Sequence, residues 1–249
     1  MAGRVDADIR ANKAVITYGD RCFVEHSKIE VGKEPLAHTN LFAVVAIEGL
    51  DNQYLIVGDM SQETFQNIQL LHQPFGDRYG AYRALEEAYK AGKVRAIGVS
   101  NFYPDHYIDL CAHFDVVPAV NQVETHVFQQ QAEGRKYMQE LGVAPMAWGP
   151  LAEGKNGFFT NETLLQIGKK YGKTGPQVAL RYLMELGVII IPKSTHNERM
   201  AQNLDLFDFQ LTDEDKAEIQ KLDTGAPLIM PSHHDPEIVK WFMSLLPKK

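Results

Sequence analysis

From Gln69 onward the chain alternates short apolar runs with amphipathic stretches of helical period, the pattern of repeated βα units. Leu70-Leu71-His72 reads as the end of a strand. The segment 78–91 then carries Ala81, Ala84, Leu85 and Ala88 at i, i+3, i+4 and i+7, one face of a helix. Gly92 stands where a left-handed helix cap belongs, with Lys90 and Lys93 near the negative helix end. The same alternation continues with a strand over 94–99, a helix opening near Pro104 and Asp105, and a strand over 119–123. A helix with Tyr137, Met138 and Leu141 follows, stopped by Gly142, then a strand over 143–148. Two helices come next, one over 164–171 stopped by Gly172, the other with Ala179, Tyr182, Leu183 and Leu186 on one face. The run 188–191 is apolar throughout, as expected of a strand buried on both sides. Five such strands predict either a doubly wound parallel sheet or a closed barrel, and periodicity leaves both open.

Residues 1–66 read differently. Strands are expected over 14–18, 22–31, 41–47 and 53–57, and the only candidate helix is a poorly patterned stretch over 62–71. A boundary is possible near residues 60–68, with no Pro- or Ser-rich linker to mark it. The 249 residues suit one large domain, and 45% hydrophobic with 23% charged residues is globular composition. A net charge of −7 argues against general nucleic-acid binding, which wants a basic face. Cys22 and Cys111 form no CxxC pattern and are expected as reduced thiols of a cytosolic protein. The opening residues lack a secretory pattern, and the longest apolar run before Leu70, 41–47, is far short of the ~20 residues of a membrane span. A soluble, cytoplasmic protein is expected, with no membrane partner and an open oligomeric state.

Neither GxGxxG nor GxxxxGK[ST] occurs, so a nucleotide would have to be held without the usual Gly-rich loops. In a βα barrel the chemistry sits at the C-terminal ends of the strands, with phosphates often held after the last two. The strand ends here offer His72, Ser100-Asn101, Asn121-Gln122, Trp148 and Lys193-Ser194. Each alone has an ordinary structural explanation: a satisfied histidine, a core tryptophan, a solvated lysine. Five strand ends that are polar at one level are harder to explain that way.

Several segments together carry a resemblance. They are Leu71-His72-Gln73-Pro74, Lys93 through Phe102 (KVRAIGVSNF), Val120-Asn121-Gln122-Val123-Glu124, Ala147-Trp148-Gly149-Pro150-Leu151 and Ile191-Pro192-Lys193-Ser194. In order and spacing, residues about 69–245 resemble the aldo-keto reductase family. The closing His233-His234-Asp235-Pro236-Glu237 with Trp241 is similar to its bacterial 2,5-diketo-D-gluconate reductase-like branch. The resemblance implies a (β/α)8 TIM-type barrel with an atypical, shortened or divergent N-terminal third. The chain would be one barrel domain over 1–249, with 1–68 strand-rich and 69–249 supplying strands 4–8 and the cofactor site. It further implies NADPH as cofactor and a small-molecule carbonyl as substrate. Ser100, Asn101 and Gln122 would hold the nicotinamide carboxamide, and Trp148 would stack on the ring. Lys193, Ser194 and Arg199 would grip the 2′-phosphate, Gln202 and Asn203 would contact the adenine, and His72 would orient the carbonyl.

The family reduces carbonyls with Asp, Tyr, Lys and His, the tyrosine donating the proton. By motif only the histidine is found here. Matching Leu41-Phe42 to the start of the third strand puts Ala46 at the lysine position, and Tyr18 with Asp20 stands in an ordinary Tyr-Gly-Asp turn. Eight units in 249 residues average about 31 each, so three units before His72 need about 90 residues, more than are present. Two readings therefore stay open: an NADPH-dependent reductase, and a catalytically silent NADPH-binding module. A metal site on His233-His234-Asp235 is disfavoured, because adjacent histidines seldom face one ion.

Overall fold

The computed structural model describes residues 66–244 and, before them, the strands β1 (Ala14–Thr17), β2 (Cys22–Glu25), β3 (Lys28–Val31) and β4 (Phe42–Val45). β1 pairs antiparallel with β4, and β2 with β3. The single strand expected over 22–31 is thus two strands, Cys22 opposite Val31 and Glu25 opposite Lys28. Two residues separate them, the commonest spacing of a hairpin. Tyr18, Asp20, Ala46 and the strand expected over 53–57 lie outside the described residues.

The parallel sheet comprises β5 (Gln66–Leu71), β6 (Val94–Ser100), β7 (Val120–Glu124), β8 (Ala144–Trp148) and β9 (Ile189–Ile190), hydrogen-bonded in that order. β5 corrects the helix considered over 62–71. Ile68 and Leu70 pack with Val120, Met146 and Ile189, whereas Leu71 joins a separate cluster with Ile97 and Val99. That is alternation with period two, which a helix does not produce. The last strand is shorter than the apolar run 188–191 suggested.

Between strands lie α1 (Arg78–Lys90), α2 (Pro104–His113) and α3 (Ala132–Glu140). After β8 come 3-10 turns at Ala152–Gly154 and Phe158–Thr160, then α4 (Glu162–Tyr171) and α5 (Gly175–Glu185). α6 (Asn197–Leu204), α7 (Asp213–Gln220) and α8 (Pro236–Ser244) follow β9. Local chemistry sets their starts. The Asp77 carboxylate accepts from the Gly80 N–H at 2.8 Å, Pro104 stands at the start of α2, and Thr174 with Gln177 forms a reciprocal cap on α5.

Strand order decides between the two architectures. A doubly wound sheet reverses its order at a switch point. Here each parallel strand is added beside the one before it, so right-handed crossovers put every helix on the same side, the arrangement of a TIM-type barrel. The packing agrees. Val120, Met146 and Ile189 line the inner face with Ile68, Leu70, Ala144 and Ile191. Outward residues such as Val99, Val123, Ala147 and Ile190 meet Tyr82, Tyr107, Met138, Leu180 and Leu183 from the helices. Gly98 lies where strands crowd the interior: a Cβ there would stand 2.7 Å from Leu70 Cδ2, Val120 Cγ2 and the Val120 carbonyl oxygen. No helix among the described residues is long and apolar enough to cross a membrane. Cys111 carries a free thiol, whose pKa burial pushes up to about 11, which makes it a poor nucleophile near neutrality.

Candidate active site

Parity along each strand selects which side chains enter the barrel. Leu70, Gly98, Val120 and Met146 face inward, so His72, Ser100, Gln122 and Trp148, each an even step further on, share that face. The register sets their heights. Leu71 pairs with Val99, Ser100 with Gln122, and Gln122 with Met146, which puts His72, Ser100 and Gln122 at one level. Glu124 pairs with Trp148 one step nearer the rim. Four of the residues singled out in the sequence are thereby brought to one end of the barrel.

Asn101 leaves the strand with φ +60°, a left-handed conformation that asparagine tolerates better than most residues. That turn points its amide back across the rim. Its oxygen accepts from the Trp148 indole N–H at 2.9 Å, and its nitrogen donates to the His72 carbonyl at 3.3 Å and to Ser100 Oγ at 3.2 Å. Ser100 Oγ donates in turn to the Gln122 carbonyl at 2.9 Å. Asn101 therefore fixes the indole plane and ties three strand ends together. Among the described residues the Gln122 side-chain amide makes no hydrogen bond, which leaves a donor and an acceptor free for a ligand amide.

Beyond β9, Ser194 is buried, and its Oγ accepts from the His196 N–H at 3.1 Å, shaping the entry to α6. Lys193, Arg199 and Gln202 are exposed, and among the described residues neither cation has an ion-pair partner. Asn203 is buried on the inner side of α6. Two unpaired cations beside a helix start are what a phosphate monoester requires, and the free Gln122 amide beside an oriented indole suits a carboxamide-bearing aromatic ring. By this donor set the residues present fit NADPH. Among the described residues no group of three or more His, Cys, Asp or Glu side chains is placed to hold a metal ion.

Sequence reasoning gave no role to Glu124, nor to the segment 224–232 that follows α7. Glu124 Oε1 accepts from the N–H groups of Leu228 and Ile229 at 2.6 and 2.8 Å, and Oε2 from Met230 at 3.3 Å. Burial alone would raise its pKa, but the bond to His126 and these three backbone donors outweigh burial and hold it below the usual carboxylate range. The signal was available: a carboxylate closing the strand on the inward parity of Val120 and Gln122. Ile229 in turn crowds Gly149, which has φ +64° and no room for a Cβ against the Ile229 side chain. His233 is buried between Phe75 and Phe242, with ring centroids 5.9 and 5.6 Å away, and Tyr103 lies 6.3 Å off. Burial, with His234 and His72 nearby, lowers its pKa to about 4.

The family model for the Aldo/keto reductase family matches residues 59–224, and the chain belongs to that family. An uncharacterized oxidoreductase of Schizosaccharomyces pombe is 41% identical over 63% of this chain and 57% of its own length. Glyoxal reductase of Bacillus subtilis is 39% identical over 78% of this chain and 72% of its own. A silkworm (Bombyx mori) aldo-keto reductase solved with NADPH matches with TM-score 0.62 and 34% identity, covering 67% of this chain and 57% of that one. A structure titled as a putative 2,5-diketo-D-gluconic acid reductase B matches at TM-score 0.63 and 34% identity, over 69% and 62%, in keeping with the branch that the closing segment resembles. The chain thus spans about three fifths of the length of several of its relatives.

The His233 environment sets a pH dependence. An unfolded histidine takes its proton near pH 6.5, whereas folded His233 resists until about 4, so the unfolded chain binds more protons in between. The contribution of His233 to stability is therefore complete above about pH 6.5 and declines as pH falls toward 4. Glu124 acts with the same sign at lower pH, below the ordinary carboxylate range. We expect Tm to fall more steeply between pH 7 and 4.5 in the parent protein than in His233→Phe, which keeps the aromatic stack. Parallel slopes would contradict this account.

Proposed function

We propose that the protein is an NADPH-dependent reductase of aldehydes or ketones, acting in the cytoplasm on a small carbonyl compound. The observation that carries this reading is the convergence of His72, Ser100, Gln122 and Trp148 on one inward rim. The unpaired Lys193 and Arg199 after β9 add to it. The glyoxal reductase and the NADPH-bound silkworm enzyme among the relatives support it. We also read 1–249 as one barrel domain, with 69–249 supplying strands 4–8 and the cofactor site.

NADPH, when bound, supplies a hydride from its nicotinamide ring. Gln122 and the remaining lone pair of Ser100 would hold the carboxamide. Asn101, expected there too, has its amide committed to Trp148, Ser100 and the His72 carbonyl, and so braces the indole on which the ring would stack. Lys193, Ser194 and Arg199 take the 2′-phosphate, with Gln202 and Asn203 toward the adenine. His72, exposed beyond the end of β5, hydrogen-bonds the substrate carbonyl oxygen and orients it. By motif it is the one member of the family's catalytic set recognised in the sequence, and the second reading, a silent NADPH-binding module, rests on that.

Arg199→Ala removes one charge-assisted contact to a 2′-phosphate that NADH lacks. A loss of about 1.5–3 kcal/mol weakens NADPH roughly 10- to 100-fold in titration, with NADH affinity nearly unchanged. Equal losses for both nucleotides would remove the phosphate assignment.

NADPH oxidation against a panel of aldehydes and ketones separates the two readings. A positioned general acid contributes about 10²–10⁴-fold, so reduction without the family's tyrosine is expected to be slow but measurable, and to vanish in His72→Phe. A collapse confined to Tyr18→Phe would instead make Tyr18 the proton donor. No oxidation with any substrate, together with tight NADPH binding, would establish the silent module.

A further inference from the structure

We propose that Glu124 is a positioning residue that pins the strap 228–230 across the barrel mouth, so that the strap's side chains form the wall against which the carbonyl substrate is placed. This rests on the reductase reading above. Three features of the geometry support it.

Glu124 is 4% exposed, on the inward face, and paired in register with Trp148. Nothing in the strand requires a charge there. An anion so buried is costly unless hydrogen-bond donors compensate its charge, and here several do. His126 Nδ1 accepts from the Phe128 N–H at 3.2 Å, which leaves Nε2 as the protonated nitrogen donating to Glu124 Oε1 at 3.0 Å. With the three backbone donors of Leu228, Ile229 and Met230, the carboxylate has four partners.

The carboxylate grips the strap by its backbone. Lys155 Nζ holds the opposite polarity, donating to the Ile229 carbonyl at 3.0 Å. Farther back, Thr224 donates to the Phe128 carbonyl from both its N–H, at 2.9 Å, and its hydroxyl, at 2.8 Å. A strap fixed through its main chain can present any side chains without losing its anchor. Leu228, Ile229 and Met230 are therefore free to serve specificity.

The pinned segment also reaches the chemistry. Ile229 sits against Gly149, the residue after Trp148. A few residues on, His233 stacks on Phe75, three residues after His72. The strap thus bridges the ends of β5, β7 and β8, around the place where a carbonyl must meet His72.

The test joins hydrogen exchange with steady-state kinetics on the full chain. In the parent protein the amides of Leu228, Ile229 and Met230, which belong to no helix or strand, are expected to exchange far more slowly than those of Gly225 and Ala226. Glu124→Gln removes the charge and turns one acceptor into a donor. It should abolish that protection and raise KM for the carbonyl about 10- to 100-fold, the scale of a lost positioning contact, with kcat changed less and NADPH affinity unchanged. Ile229→Ala, which keeps Glu124 and the backbone grip, should raise KM while leaving exchange protected. It keeps the wall testable if Glu124→Gln does not fold.

Unprotected strap amides in the parent protein would overturn the proposal. So would protection that survives Glu124→Gln, or a KM unchanged in both variants. A fall in NADPH affinity matching the rise in KM would also overturn it, marking Glu124 as a general structural residue. A parent protein that binds NADPH but reduces nothing would defeat the reductase reading and the wall with it, while exchange would still decide whether Glu124 holds the strap.

Discussion

The parallel register of β5 to β8 governs everything above it. Because neighbouring strands are offset by fixed steps and side chains alternate faces, inward residues fall into levels. Leu70, Gly98 and Val120 fill a lower level as packed core, and the crowding around Gly98 shows how little space remains there. One even step higher the same geometry delivers His72, Ser100 and Gln122. A slip of one residue in any strand would send its polar end group outward among the helices. The site is thus a consequence of how the core packs.

Above that level the rim is organised by polar groups that satisfy one another. Asn101 spends its amide on Trp148, Ser100 and the His72 carbonyl, and Glu124 spends its carboxylate on His126 and the strap. Both residues hold other residues in place, and in a low-dielectric setting such satisfied networks are rigid. Among the described residues the side chains of Gln122, Lys193 and Arg199 make no hydrogen bond or ion pair with the protein. The chemistry of that remainder, one amide and two cations, is what makes NADPH the fitting ligand.

The strand ends were legible in the sequence because period-two alternation and strand-ending polar residues are local features. His72, Ser100, Gln122 and Trp148 could be picked out before any geometry was known. The choice between an open sheet and a barrel was not legible, since it depends on which strands become neighbours. β5 was half hidden, because Gln66, Asn67 and Gln69 dilute its apolar face and imitate a weak helix. Glu124 was in view within Val120–Glu124, but its role depends on backbone donors about a hundred residues away, beyond the reach of any local pattern. His233 was weighed as a metal ligand. Its ring packs against Phe75, distant in sequence, and Phe242, in the helix that directly follows.

On the proposed function this rim orients a nicotinamide ring so that its hydride reaches a carbonyl held by His72. That orientation is tested most directly with NADPH carrying deuterium at one face of nicotinamide C4, then at the other, using any aldehyde that the protein turns over. If Gln122, Ser100 and Trp148 present a single face of the ring, the alcohol product, read by NMR, carries deuterium at its carbinol carbon from one labelled cofactor and none from the other. Label arriving equally from both faces, or an alcohol without label from either, would contradict the account.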